Sequence, residues 1–375
     1  MVYLLVTYLN TMKTMTNNKN FCVIMAGGIG RRLWPYSRKH LPKQFVDFFG
    51  TGRTLLQQTF DRYAKFIPAE NIYISTFEDY VDVVKQQLPE LKMEQVLVEP
   101  VQLSTAPAAA WSALYLTHRF GDGNLIITPA DQYIVNEERF VEQVSCGLEY
   151  VAEHNNFLAV GVRPTAPNTG YGYIQMADEK DGDYPLVKSF TEKPDLQFAE
   201  MFVSSGEFLW NSGMFMCNLP TMLDMLAREL PAFSVCVETA RSGATEAQMT
   251  DLFRATYPSM EHQSIDLLLL EKTKNVVVMA CNFGWADIGS WPELHEVEAK
   301  DADDNAVISS TQVLFDKAYG NLVCLPEAKA AVIAGLEGYL VAEKDGVLVI
   351  CPNHDAAIVR RLVTEAQMKL GEEFV

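Results

Sequence analysis

The chain lacks the markers of several common protein classes. Its seven cysteines (22, 146, 217, 236, 281, 324 and 351) are scattered, and none forms a Cys-x-x-Cys pair. This is the pattern of reduced thiols in a cytoplasmic protein, mostly serving as small core residues. The six histidines are equally dispersed and form no His-x3-His pair, so a zinc-like site is not encoded. No apolar run approaches the roughly 18 residues that a membrane helix needs. Basic residues are in deficit: 30 Lys and Arg stand against 48 Asp and Glu, a net charge of −18. Duplex affinity comes mostly from basic side chains, so a nucleic-acid partner is not expected. A small anionic ligand stays open, because it feels only the field of its own cleft.

What is present is a globular composition, 49% hydrophobic and 21% charged over 375 residues. That length buries a full core without disulfide or metal staples. Residues 1–19 stand apart. Val2-Tyr3-Leu4-Leu5-Val6 is apolar but short, no Lys or Arg precedes it, and it does not read as a signal peptide. Met12 and Met15 precede a polar stretch, and the expected true start is one of them.

Ordered structure is expected from Phe21, where an apolar run stops at Gly27-Gly28. Similar runs at 72–74, 96–98, 125–127 and 157–160 read as buried strands. Between them Leu55, Leu56, Thr59, Phe60, Tyr63 and Phe66 fall on one helical stripe, and 108–116 is rich in helix formers. The alternation predicts an α/β fold with a mostly parallel sheet, whose ligands bind beyond the carboxyl ends of the strands. Later strands at 188–192, 215–218 and 276–280 are separated by long insertions, which suit a sugar- or substrate-binding lobe. The acidic stretch 296–304 reads as a boundary. Beyond it, short apolar runs with Gly and Asp-Gly turns predict a small C-terminal β-rich domain over 301–375, closing with a helix from about 355 to 370. No repeat of fixed period is evident.

The densest signal runs from Ala26 to Phe45. Glycines directly after a strand let backbone N–H groups approach an anion. The Gly-Lys-Ser/Thr ending of a Walker loop is missing, and Leu33 stands where a dinucleotide fingerprint needs a third small residue. Arg31, Arg32, Arg38, Lys39 and Lys43 follow within thirteen residues. In so acidic a chain this local excess points to polyphosphate, which Arg grips bidentately and Lys meets as a point charge. A turn followed by a solvated basic face is the plainer alternative.

Gly27-Gly28-x-Gly30-x-Arg32-Leu33-Trp34-Pro35-x-Ser37-Arg38 with Pro42-Lys43-Gln44-Phe45 resembles the signature of mannose-1-phosphate guanylyltransferases, within the sugar-1-phosphate nucleotidyltransferases. The resemblance extends from about Phe21 to Trp291. It implies a Rossmann-like nucleotidyltransferase domain over 20–300, with Arg32, Lys43 and Asp131 catalytic. Ala26, Gly27, Gly28, Gly30, Arg31, Thr105 and Pro107 would bind the nucleotide. In Thr128-Pro129-Ala130-Asp131 the Asp is ordinarily a turn or cap residue; the resemblance makes it a Mg²⁺ ligand, with Asp287 of Phe283-Gly284-Trp285-Ala286-Asp287 as the second. The segment 168–174, otherwise a tight turn, resembles a sugar-phosphate loop and contributes Gly172 and Tyr173, with tyrosine rings covering a sugar. Glu192, Lys193 and Asn211 complete that set. Ser264-Ile265-Asp266 also matches, but a capped helix start explains it and no chemistry is assigned to it.

Three departures stand out. Arg31 replaces a small residue, Leu103-Ser104 replaces Arg-Asn before Thr-Ala-Pro, and Gln132 replaces a His after Asp131. The implied activity is Mg²⁺-dependent transfer of GMP from GTP to mannose 1-phosphate, giving GDP-mannose for polysaccharide biosynthesis, in a cytoplasmic homodimer. Another sugar 1-phosphate or base is the rival within the same chemistry. A catalytically silent nucleotide-sugar sensor is the rival outside it. Too few residues follow Trp291 for the isomerase domain of bifunctional members, so a monofunctional enzyme is expected.

Overall fold

The structure is a computed structural model that describes residues 19–375; the reading of the start at Met12 or Met15 lies outside them. Nine strands form the main sheet: β1 (Asn20–Met25), β2 (Ile72–Phe77), β3 (Val96–Glu99), β4 (Asn124–Pro129), β6 (Phe157–Val162), β7 (Tyr173–Asp181), β8 (Tyr184–Thr191), β9 (Phe208–Asn218) and β10 (Val276–Cys281). Their order is β3-β2-β1-β4-β9-β6-β10-β8-β7. The block β3-β2-β1-β4 is parallel throughout, as is the β6–β10 pair. The insertions change the rest: β9 runs antiparallel between β4 and β6, and β7 and β8 add an antiparallel edge.

Strand alternation divides the core in two. Phe21 and Val23 of β1 face one layer with the helix Thr105–Phe120 and the helices between 219 and 272. Cys22 and Ile24 face the other, with the helices Leu55–Tyr63 and Glu137–Glu153. Both faces are therefore dry, which is why the strands read as unbroken apolar runs. Among the described residues no helix is long and apolar enough to cross a membrane.

A short antiparallel pairing joins β5 (Gln132–Ile134) to β11 (Trp285–Asp287), with Asp287 opposite Gln132. The chain then forms β12 (Ala306–Val307), β13 (Gln312–Asp316), β14 (Leu322–Cys324), β15 (Ala330–Ala334), β16 (Tyr339–Lys344) and β17 (Val347–Pro352), followed by the helix Ala356–Lys369. Ala306, Leu322 and Leu340 stand in parallel register, so successive coils take 16 and 18 residues. This is a small solenoid, and its uneven coils explain why no fixed period shows in the sequence. Stacked asparagines hold it. The Asn321 amide donates to Asn305 Oδ1 (2.9 Å) and to the Leu336 carbonyl (3.0 Å), and its own oxygen accepts from the Tyr339 N–H.

Candidate active site

The carboxyl ends of the four parallel strands open on one cavity of about 340 Å³. Met25 ends β1 and Gly27-Gly28 follow it, Phe77 ends β2, Glu99 ends β3, and Pro129 ends β4 with Asp131 just beyond. The parallel topology brings these four strand ends to the same edge, and the glycines keep the rim low. A Cβ on Gly27 would lie 3.0 Å from the Phe77 ring. Gly30 is at φ +67°, and a Cβ there would lie 2.7 Å from Ser37 Oγ and 2.8 Å from Lys43 Cγ. Only glycine lets the lysine stem pass at that point.

That stem carries Lys43 to the centre of the site. Its ammonium lies 2.6 Å from Asp131 Oδ2 and 3.8 Å from Asp287 Oδ1, and donates to the Ile288 carbonyl at 3.0 Å. Two carboxylates 156 positions apart in the chain thus meet at one cation. The β5–β11 pairing and the Ile288 N–H bond to the Asp131 carbonyl (3.1 Å) hold them together. Burial by itself would lower the Lys43 ammonium, but Asp131 and Asp287 outweigh it and hold it above its ordinary value. Asp287 is raised as well, against the opposing charge beside it. Burial pushes it up to about 6, with Lys43 and Arg32 opposing and Asp131 and Glu293 adding to the rise.

Arg32 reaches the same place. A Cβ on Gly289 would meet Glu293 Oε2 at 2.8 Å, Asp287 Oδ2 at 2.9 Å and the Arg32 guanidinium at 3.0 Å. Arg31 is exposed to solvent. Arg38, counted with the basic cluster on sequence, is instead buried, donating to the carbonyls of Pro35 (3.1 Å) and Lys344 (2.7 Å). It belongs to the contact with the solenoid rather than to an anion cleft.

Of the residues expected to bind the nucleotide, Thr105 lines the cavity and its hydroxyl accepts the Ile265 N–H at 2.9 Å. Pro107 does not line it: two positions further into the helix, its ring is buried in the core. Leu103 and Ser104 form part of the wall. Glu99 is buried and accepts from the hydroxyls of Ser75 (3.0 Å) and Tyr257 (2.7 Å). Burial raises its carboxyl, and those two hydrogen bonds offset part of the rise. The sequence signal that could have found it was a lone Glu ending a buried strand. Gln44, too, was legible only as part of a motif. Its amide donates to the carbonyls of Ala26 (2.8 Å) and Gly28 (3.0 Å), fixing the glycine turn from behind.

On the opposite side, the Asn211 amide donates to Asp266 Oδ1 at 2.7 Å, while its oxygen accepts the Gly213 N–H at 3.1 Å. Asp266, read from sequence as part of a capped helix start, lines the cavity, and burial raises its carboxyl. Gly172 packs under Glu192, whose Oε2 lies 2.8 Å from where a Cβ would sit. Lys193 pairs with Glu192 at 2.6 Å and is held at φ +44°, a left-handed conformation that non-glycine residues rarely adopt. Tyr173 is a correction. Its side chain is fully buried against Phe202 and Trp210, and its hydroxyl donates to the Asn168 carbonyl, so it covers no sugar. Tyr171 is the ring at the site, edge-on to Trp210 (5.1 Å) and Trp285 (5.4 Å). Gln132 is structural: its amide donates to the Ser212 carbonyl, tying β5 to β9.

The arrangement offers a glycine turn, two cations and paired carboxylates, which suits charge stabilisation on a polyphosphate. Comparison with known proteins agrees. The family model described as nucleotidyl transferase matches residues 21–304. A mannose-1-phosphate guanylyltransferase of Klebsiella pneumoniae is 34% identical over 88% of this chain and 70% of its own. The xanthan biosynthesis protein XanB of Xanthomonas campestris is 34% identical over 92% of this chain and 72% of its own. A Thermus thermophilus crystal structure, described as a mannose-1-phosphate geranyltransferase, superposes with TM-score 0.82 at 30% identity, covering 93% of this chain and 99% of that one. On these grounds the chain belongs to the nucleotidyl transferase family.

Proposed function

We propose that the protein transfers GMP from GTP to α-D-mannose 1-phosphate, giving GDP-mannose and pyrophosphate, in the cytoplasm and toward polysaccharide synthesis. The observation that carries the reading is the meeting of Asp131, Asp287 and Lys43 at the end of the glycine turn. The names of relatives at 34% identity supply the sugar and the base.

A phosphate oxygen of the sugar phosphate attacks the α-phosphorus, the new P–O bond forms, and the bond to the β-phosphate breaks. The attacking oxygen is already ionised, so no protein nucleophile is required. Gly27, Gly28 and Gly30 let the backbone approach the triphosphate, and Arg32 and Lys43 balance its charge. Asn211, Glu192, Lys193 and the backbone at Gly172 orient the sugar phosphate, which is the positioning part of the rate gain. Asp131 and Asp287 would hold Mg²⁺. Among the described residues no three His, Cys, Asp or Glu side chains are placed together to hold a metal ion, but two hard carboxylates suffice for a cation that keeps waters and takes substrate phosphates. When bound it supplies Lewis-acid polarisation of the α-phosphate.

We assign this chemistry to residues 20–300 and a supporting role to 301–375. The homodimer is part of the same proposal. Leu314 and Val332, partners in register on the outer face of β13–β15, are 62% and 72% exposed and would be covered by a second copy.

The test is pyrophosphate release with mannose 1-phosphate, Mg²⁺ and each of GTP, ATP, UTP, CTP and dTTP. GTP far above the rest is the expected result. Release with another nucleotide overturns the base. Binding of GDP-mannose with no release in the panel or with other sugar 1-phosphates favours a sensor.

A further inference from the structure

We propose that Lys43 is a resident counter-cation that keeps free divalent metal out of the Asp131–Asp287 pair until a triphosphate draws its ammonium away. The inference rests on the metal-holding reading of those two carboxylates.

Three observations lead to it. The Lys43 ammonium is within 2.6 Å of Asp131 Oδ2 and 3.8 Å of Asp287 Oδ1, so it already lies against the two side chains that a divalent ion would use. Its third direction is taken by the Ile288 carbonyl at 3.0 Å, a geometry that seats a cation rather than lending it to solvent. Its stem is trapped against Gly30, and the residue is 7% exposed, so the charge cannot drift into water when another cation approaches. A single carboxylate would satisfy a structural lysine, whereas this one bridges two.

The consequence is an order of events. A divalent ion arriving alone must enter within a few ångströms of a fixed positive charge, in a setting where such repulsion is far stronger than in water. A triphosphate settling on the glycine turn brings oxygens to the same ammonium. Rotation about the terminal bonds of Lys43 exchanges Asp131 for a phosphate oxygen, and both carboxylates become available to the metal. Metal therefore enters with or after the nucleotide. Arg32 cannot substitute, because a planar guanidinium lacks the compact charge that fits between two carboxylates.

The experiment is Mn²⁺ binding without nucleotide, followed by electron paramagnetic resonance at pH 8. Lys43→Met is compared with the wild type, and circular dichroism establishes that it is folded. Lys43→Met is expected to bind Mn²⁺ at least ~10-fold more tightly, and the gain should disappear in Lys43→Met/Asp131→Asn. Equal affinities in wild type and Lys43→Met overturn the proposal. So does a gain that survives the second substitution, since the metal then lies elsewhere. Should Lys43→Met fail to fold, anomalous diffraction on wild-type crystals decides. A Mn²⁺ peak between Asp131 and Asp287 in crystals given Mn²⁺ alone overturns the proposal. A peak only with a non-hydrolysable GTP analogue, with the Lys43 ammonium withdrawn from Asp131, supports it. The guanylyl reading fails separately, through the nucleotide panel, because Mn²⁺ alone is blind to base and sugar.

Discussion

Residues 27–32 and residues 34–38 are neighbours in the chain and belong to one motif, yet they face different partners. Gly27, Gly28 and Arg32 line or approach the cleft. Trp34, Tyr36 and Arg38 turn to the C-terminal region, the solenoid and the segment after its helix. The Trp34 indole N–H donates to the Phe374 carbonyl at 2.8 Å, and Arg38 donates to Lys344 at 2.7 Å. Trp291, fully buried, donates back to the Trp34 carbonyl and meets Tyr36 edge-on at 5.4 Å. A shared core of Leu33, Phe48, Leu322, Val349 and Val363 fills the space between. One half of the motif faces the cleft; the other fastens the turn to the C-terminal region. A motif read as one functional unit is two devices, and substitutions separate them.

The largest effect belongs to the cleft. Asp131→Asn is expected to lower kcat by at least ~10²–10³-fold, the order seen when one charge-stabilising group is lost. Circular dichroism should stay that of the wild type, and near-normal turnover would remove Asp131 from the chemistry. Next is the support. Arg38→Met leaves the Pro35 and Lys344 carbonyls without their charged donor, and denaturant unfolding should report a loss of about 2 kcal/mol. The folded fraction should keep its KM for GTP; a large rise in KM would mean that Arg38 acts in the cleft after all.

Asp287→Asn probes the cleft in reverse. The folded value of Asp287 lies above its unfolded one, so its stabilisation is present at low pH and is lost as pH rises through about 6. The variant should therefore be inactive yet more stable than wild type above pH 7, by on the order of 1–3 kcal/mol, with the difference vanishing near pH 4. Unfolding curves at pH 4 and 8 check this. Gln44→Leu joins the two halves, since Gln44 sits in the second part of the motif but serves the first. Losing its bonds to the Ala26 and Gly28 carbonyls should raise KM for GTP by ~10-fold, with kcat less affected. An unchanged KM would show that the turn is rigid without it.

Much of the candidate site was legible. Asp131, Asp287, Arg32, Lys43 and Asn211 could each be nominated because each sits in a short motif of distinctive residue types. What the motifs did not reveal was orientation. Tyr171 and Tyr173 are two positions apart in one glycine-rich turn, and only strand pairing at Tyr173 decides which ring is buried. Asp266 looked like part of a helix start because Ser264 does cap that helix; its contact with Asn211 spans 55 residues. Arg38 looked like part of an anion site because charge density along a chain says nothing about direction.

The sequence by itself determined the local structure and the chemical inventory. Apolar runs ending at glycine specified the buried parallel strands, and residue identity ruled out the two common phosphate loops. Only the tertiary structure decided which charges meet. Asp131 and Asp287 share Lys43 because β5 pairs with β11. Arg38 leaves the cleft because a carbonyl 306 residues away accepts its charge. The physical reason is range: propensity and periodicity act within a few turns of chain, whereas a buried charge is satisfied by whatever partner the fold brings within about 3 or 4 Å, at any separation in sequence.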